Sequence, residues 1–186
     1  VLTRGLASLI SVAMLLTSSF LDGNNMATLI KEASPRVKTV FGGVHVSALG
    51  GALLQDFPRI DYLSPGEGEV TLSELASGQD PAAIDGLIWR DGERIVTNAP
   101  RSPLPDLDQL PFPDYESLKG FPRSYNLPLF SFIGFPGATM STSRGCLYEC
   151  SYCDRSVFKR SYRYNSPEYI YEHMVHLRQR FGVRHI

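Results

Sequence analysis

Before position 146 the chain contains no cysteine, and the three it has lie within eight residues near its C-terminal end. An odd count with no partners elsewhere argues against an extracellular disulfide framework and places the chain in reducing cytosol. Charge of one sign is also missing, with 18 Lys/Arg against 19 Asp/Glu. No long hydrophobic run is present either. Residues 5–21 are uncharged, yet they fall short of the roughly 18 or more residues of a span, and Thr17, Ser18 and Ser19 dilute them. No small-x-small cleavage pattern follows, so neither a membrane span nor a signal peptide is expected. Internal repeats and low-complexity tracts are absent too.

What remains is an ordinary globular composition, 43% hydrophobic and 20% charged over 186 residues, enough for one comfortable core or two small ones. The first residue is Val1, and residues 183–186 read as the opening of a strand, so the sequence is expected to be a fragment open at both ends. The near-neutral total hides an asymmetry. Residues 1–120 carry 9 Lys/Arg against 15 Asp/Glu, and residues 121–186 carry 9 against 4. A basic final third suits nucleic acid, an anionic cluster with a carboxylate-bearing cosubstrate, or simply a solvated face.

Periodicity divides the first part into alternating strands and helices. A buried strand is expected over residues 6–13, then a loop to Asp22 as N-cap, and a helix over 24–33 with Met26, Leu29, Ile30 and Ala33 on one face. A short strand over 37–41 ends in Gly42–Gly43. A weak helix over 47–57, a strand over 60–63 and a helix over 67–76 follow. Strand, helix, strand and double glycine describe a parallel βαβ unit whose ligands sit beyond the carboxyl ends of the strands, and the pattern reads as doubly wound α/β. Residues 86–90 and 94–98 flank Asp91–Gly92, a strong hairpin signal. Five prolines in residues 99–113 mark a linker between a domain over 1–98 and another over 114–186. In the second, a strand over 138–143 runs into the cysteine loop. A helix follows, capped by Ser166 and Pro167, with Ile170, Met174, Leu177 and Phe181 as its apolar stripe and Gly182 at its exit.

Cys146, Cys150 and Cys153 stand at spacings of three, then two, intervening residues. Iron–sulfur clusters are ordinarily held by four thiolates. With three, one iron of a cubane stays open to a non-protein ligand, which is a catalytic feature. Zinc held by these cysteines with His173 or His176 is the plainer rival, although those histidines lie at i and i+3 down a helix, a spacing of no common zinc module. Arg155, Lys159, Arg160 and Arg163 follow closely, and any of them could pair with a carboxylate or phosphate.

The run CLYECSYC resembles the CxxxCxΦC signature, with Φ aromatic, of the radical S-adenosylmethionine (radical SAM) superfamily. The resemblance implies that Cys146, Cys150 and Cys153 ligate a 4Fe-4S cluster whose unique iron binds S-adenosylmethionine. It also implies that Tyr152 lies beside the adenine, and that the fold here is the start of a partial (β/α)6 TIM-type barrel. Upstream, VFGGVHVSAL, DYLSPGEGEVTLSEL, DGLIWRDGERIV and LPFPDYESL are similar to the Rossmann-like (flavodoxin-like) domain that precedes the barrel in cobalamin-dependent members. By that match Ser11, Gly42, Gly43, His45, Gly66, Glu67, Gly68 and Glu69 lie along the edge facing cobalamin. The DxHxxG signature that supplies a cobalt-ligating histidine elsewhere is absent, so no protein histidine on cobalt is expected.

The expected function is that of a cobalamin-dependent radical SAM enzyme: S-adenosylmethionine cleaved to a 5′-deoxyadenosyl radical, with methyl transfer, ring formation or rearrangement at an unactivated carbon of a small molecule. The expected electron donor is a flavodoxin or ferredoxin, and neither nucleic acid nor a membrane is an expected partner. A methylthiotransferase would carry a further cysteine trio upstream, which residues 1–145 lack. A non-catalytic cobalamin- or zinc-binding module is the remaining alternative.

Overall fold

The computed structural model describes the backbone of residues 9–13, 17–125 and 135–186, with side chains over the same ranges except 9–13 and 17–19. Residues 6–8 of the first expected strand, and the start of the loop after it, lie outside them. The chain gathers into two units, one of Val1–Pro103 with Tyr148–Lys159, the other of Leu104–Leu147 with Arg160–Ile186. Residues 99–113, expected as a linker, are divided between them.

Unit 1 is built on a five-stranded sheet in the order β1 (Leu9–Ala13), β2 (Lys38–Gly42), β3 (Tyr62–Ser64), β4 (Ile88–Asp91) and β5 (Arg94–Thr97). The first three strands are parallel, and β4 and β5 form an antiparallel hairpin closed at Gly92, where the sequence signal lay. The strand order runs straight through without reversal, so among the described residues the sheet lacks the switch point of a doubly wound fold.

Helix α1 spans Thr17–Ala33, so Asp22 lies inside it rather than capping it. Its inward face is Phe20, Gly23 and Ala27, spaced i, i+3, i+7, while Met26 and Leu29 of the expected stripe are exposed. The small residues at 23 and 27 let the helix approach the sheet, and Phe20 then packs edge-on against Phe41 at 5.4 Å. Close approach outweighs the larger side chains of the other face. The expected helix over 47–57 is two short ones, α2 (Val44–Leu49) and α3 (Ala52–Asp56), interrupted at Gly50–Gly51. Helix α4 covers Glu69–Ala76. The core beneath them is Phe20, Phe41, Val46, Leu53, Leu54, Ile60, Leu63 and Ile88.

At the amino-terminal edge of the sheet, Asp61 accepts an ion pair from Lys31 at 2.6 Å and hydrogen bonds from the Thr39 amide at 2.8 Å and the Thr39 hydroxyl at 3.0 Å. Burial works to raise its carboxyl, but the Lys31 bond, the Thr39 amide and the charges of Lys31 and Lys38 outweigh it and hold the group below the ordinary carboxylate range.

Unit 2 holds the antiparallel pair β6 (Ser143–Gly145) and β7 (Tyr162–Tyr164), then α5 (Pro167–Phe181). Of the strand expected over 138–143 only Ser143 is in a strand, as the first residue of β6; a single parallel bridge joins Gly137, just before it, to His185, with Ala138 donating to the His185 carbonyl at 2.9 Å. Helix α5 has the expected ends. The Ser166 hydroxyl accepts from the Tyr169 amide at 3.1 Å, and Gly182 is left-handed. Its buried stripe is rotated, with His173 and Leu177 inside and Met174 43% exposed. Rotation follows from a polar partner: His173 Nε2 meets the Tyr115 hydroxyl at 3.0 Å while its ring stacks on Phe112 at 4.5 Å. Asp108, in the proline-rich stretch, accepts from Asn165 Nδ2 at 3.0 Å and the Ser166 amide at 3.1 Å, tying that stretch to the start of α5.

Two outcomes follow from the charges. Asp61→Asn is expected to cost about 2 kcal/mol in urea unfolding, the value of charged hydrogen bonds. That stabilisation is complete above the unfolded carboxylate pKa of about 4 and drains away as pH falls through the lower folded value. Burial, and then the neighbouring His176, lowers the pKa of His173 from 6.5. Below about pH 6.5 the unfolded chain therefore takes up a proton that the folded chain refuses. Urea midpoints at pH 7.5 and 5.5 should drop more for the wild type than for His173→Gln; equal drops would show that His173 carries no proton linkage.

Candidate functional site

The carboxyl ends of β2 and β3 lie side by side, with Gly42 in register with Ser64. A Cβ at Gly42 would come within 3.3 Å of the Ser64 carbonyl, so glycine here eases the close pairing of the two strands. From here the chain turns at Gly43, φ 96°, into α2, and from Ser64 through Gly66 into α4. Ser47, in α2, joins the two turns. Its hydroxyl donates to the Gly43 carbonyl at 2.8 Å and accepts the Gly66 amide at 2.9 Å. The two glycine motifs of the sequence thus form one rim. Sequence reasoning assigned Ser47 only to a helix start; its signal was a hydroxyl one turn beyond a double glycine.

Other expected rim residues are less uniform. Glu67 and Gly68 are half-buried in the turn, and Glu69 opens α4, exposed. His45 turns toward α1, its ring 4.7 Å from that of Phe20. Ser11 stands in β1 opposite Val40, two positions before the strand end. Ser64, absent from the sequence expectation, is 2% exposed, and its hydroxyl has no hydrogen-bond partner.

The cysteine loop leaves unit 2 through β6. Gly145 pairs with Tyr162 in that ladder, and a Cβ there would strike the Ser161 carbonyl, so the residue before Cys146 can only be glycine. Cys150 and Cys153 belong to the segment that clusters with unit 1. The Cys153 amide donates to the Cys150 carbonyl at 3.1 Å, and Asp154 closes the next turn by accepting the Ser156 amide at 2.6 Å, which holds its carboxyl below the ordinary range. The Ser156 hydroxyl lies 3.4 Å from the Val44 carbonyl, a long contact that sets the segment beside the Gly43 turn.

All three cysteines are free and exposed, and Tyr152 is 90% exposed. Among the described residues, no three metal-ligating side chains are drawn together as a mononuclear metal would hold them. Three thiols without a disulfide are the donor type that iron–sulfur clusters take. Of the two histidines that could complete a zinc site, His173 is engaged by Tyr115 and Phe112. Among the basic residues, Arg155 pairs with Glu149 at 3.6 Å and Arg163 donates to the Leu104 carbonyl at 2.6 Å. A cleft of about 950 Å³ beside α5, bordered by Tyr171, Met174 and Arg178, contains none of the expected site residues.

No family model matches the chain. It is 29% identical over 175 residues to an uncharacterized methyltransferase of Pyrococcus horikoshii, covering 91% of this chain and 37% of that protein. It is 26% identical over 175 residues to the anaerobic magnesium-protoporphyrin IX monomethyl ester cyclase of Cereibacter sphaeroides, covering 90% and 28%. The cobalamin-dependent radical SAM methyltransferase TokK of Streptomyces tokunonensis is 33% identical over 138 residues, 69% of this chain and 19% of TokK. Among solved structures, the radical SAM methyltransferase TsrM of Kitasatospora setae, with cobalamin and a [4Fe-4S] cluster bound, superposes with a TM-score of 0.66 at 24% identity, over 95% of this chain and 36% of TsrM. The chain thus spans little more than a third of these relatives at most. Its homologues include cobalamin-dependent radical SAM methyltransferases, and the α/β fold is that of TsrM.

Ser47→Ala removes both bonds of the rim tie. It is expected to cost about 1–2 kcal/mol in urea unfolding and to raise hydrogen exchange at the Gly66 amide; unchanged exchange there would show that the turns are held otherwise.

Proposed function

We propose that this chain forms the cofactor-binding part of a cobalamin-dependent radical SAM enzyme. Unit 1 is read as a Rossmann-like cobalamin-binding domain and unit 2 as the start of a partial (β/α)6 barrel. The observation that carries the reading is the three-cysteine loop in a chain of which 69% aligns with the cobalamin-dependent radical SAM methyltransferase TokK. The Ser156 contact, which sets the Cys150–Cys153 segment beside the residue after the double glycine, supports it.

Each residue then has a definable task. Cys146, Cys150 and Cys153 would supply three thiolates to a 4Fe-4S cluster and leave one iron for S-adenosylmethionine, with Tyr152 as the residue that would meet its adenine. Gly42, Gly43, His45 and the turn from Gly66 to Glu69, with Ser11, line the corrinoid edge. Ser47 keeps the rim in one geometry, so the ligand does not bear the entropy of ordering it. When bound, these cofactors supply a 5′-deoxyadenosyl radical for hydrogen abstraction and a methyl group for the resulting carbon radical. The residues of the chain hold and orient them and keep water from the reacting centre. The substrate is a small molecule and the electron donor a flavodoxin or ferredoxin of the cytosol. Ring formation in place of methyl transfer is the second reading, favoured by the cyclases among the relatives.

Anaerobic reconstitution with iron and sulfide is expected to give a brown protein with a 4Fe-4S paramagnetic signal on reduction. S-adenosylmethionine should shift that signal, and Cys150→Ala should lose it. Colourless protein that retains zinc would overturn the reading.

A further inference from the structure

Three hydroxyl side chains are buried in unit 1 among the described residues, and two of them are satisfied. Thr39 donates to the Asp61 carboxylate at 3.0 Å and accepts from the Asp61 amide, and Thr71 donates to the Asp85 carbonyl at 3.0 Å while accepting from Arg101. Ser64 has no partner. A buried hydroxyl left unpaired destabilises a fold, whereas alanine at the same place would not. Position favours a ligand as the reason. Ser64 is the last residue of β3, and a Cβ built on Gly68 would approach its Oγ to 3.3 Å, so the hydroxyl points at the turn that follows the strand rather than into the core. That turn is the one Ser47 ties to the double glycine.

We infer that Ser64 is a ligand-binding residue of the rim, whose hydroxyl hydrogen-bonds a polar atom of the corrinoid once the turn over it has accommodated the ligand. The inference rests on the reading of unit 1 as a cobalamin-binding domain. It assigns Ser64 a part different from that of Ser47. Ser47 is a positioning residue, satisfied within the protein, and Ser64 is satisfied only by the ligand. A corrinoid offers two kinds of partner, the amide side chains of the ring and the nucleotide tail with its phosphate. Both accept a hydrogen bond from a hydroxyl.

The two roles separate in a pair of measurements on the chain and its Ser64→Ala variant. Corrinoid affinity is read with hydroxocobalamin, and with cobinamide, which lacks the nucleotide, by quenching of the single tryptophan, Trp89. Stability without ligand is read by urea unfolding. Ser64→Ala is expected to leave the ligand-free urea midpoint unchanged or higher while weakening hydroxocobalamin binding about three- to tenfold, the size of one hydrogen bond. If cobinamide binding is unaffected, the partner is the tail; if both weaken alike, it is a ring amide. Unchanged affinity for both ligands overturns the inference, and so does a parallel loss of stability and affinity, which would mark Ser64 as structural. Failure of the unmutated chain to bind either ligand would instead sink the cobalamin reading beneath it.

Discussion

Gly42 and Ser64 meet where two parallel strands end, and a single added carbon at Gly42 would come within 3.3 Å of the neighbouring carbonyl. That close approach brings the two turns beyond the strands into reach of one another. Only then can one hydroxyl, that of Ser47, serve both, as donor to one backbone and acceptor from the other. The segment with two of the three cysteines lies beside the same corner, where Ser156 meets the Val44 carbonyl.

Around this corner the polar groups are handled in contrasting ways. At the opposite edge of the sheet Asp61 is enclosed by Lys31, Lys38 and Thr39, so its charge is held by partners that also join α1 to β2. Thr71 likewise receives Arg101, which pairs with Glu74 as well. Asp61 and Thr71, which only support the fold, are both paired. Ser64 departs from that pattern, and it does so at the edge where ligands of parallel sheets bind.

In unit 2 the organising feature is aromatic. Phe112, Tyr115 and Tyr169 flank the His173 ring, Phe121 and Phe181 back Tyr115, and burial there disfavours the charged form of the histidine. Asp108 fixes where α5 begins by taking the Ser166 amide, so both ends of the helix are set by named contacts rather than by helix propensity.

Features written in a few adjacent residues were legible without a structure. The cysteine spacing, the Asp91–Gly92 turn, and the Ser166, Pro167 and Gly182 ends of the long helix are of this kind, because turn and cap geometry depends on local backbone preference. Tertiary contacts decided the rest. Periodicity showed that residues 24–33 are helical, but only packing against Phe41 selects Phe20, Gly23 and Ala27 as the inner face. A heptad-like stripe in α5 pointed to Met174, and the partner Tyr115, 58 residues away, turned His173 inward instead. The strand expected over 138–143 needs a neighbour to exist, and the single bridge to His185 falls at Gly137, just before it. Ser47 and Ser64 look like ordinary serines in the sequence, since what distinguishes a satisfied hydroxyl from an unsatisfied one is which distant backbone atoms the fold brings within 3 Å.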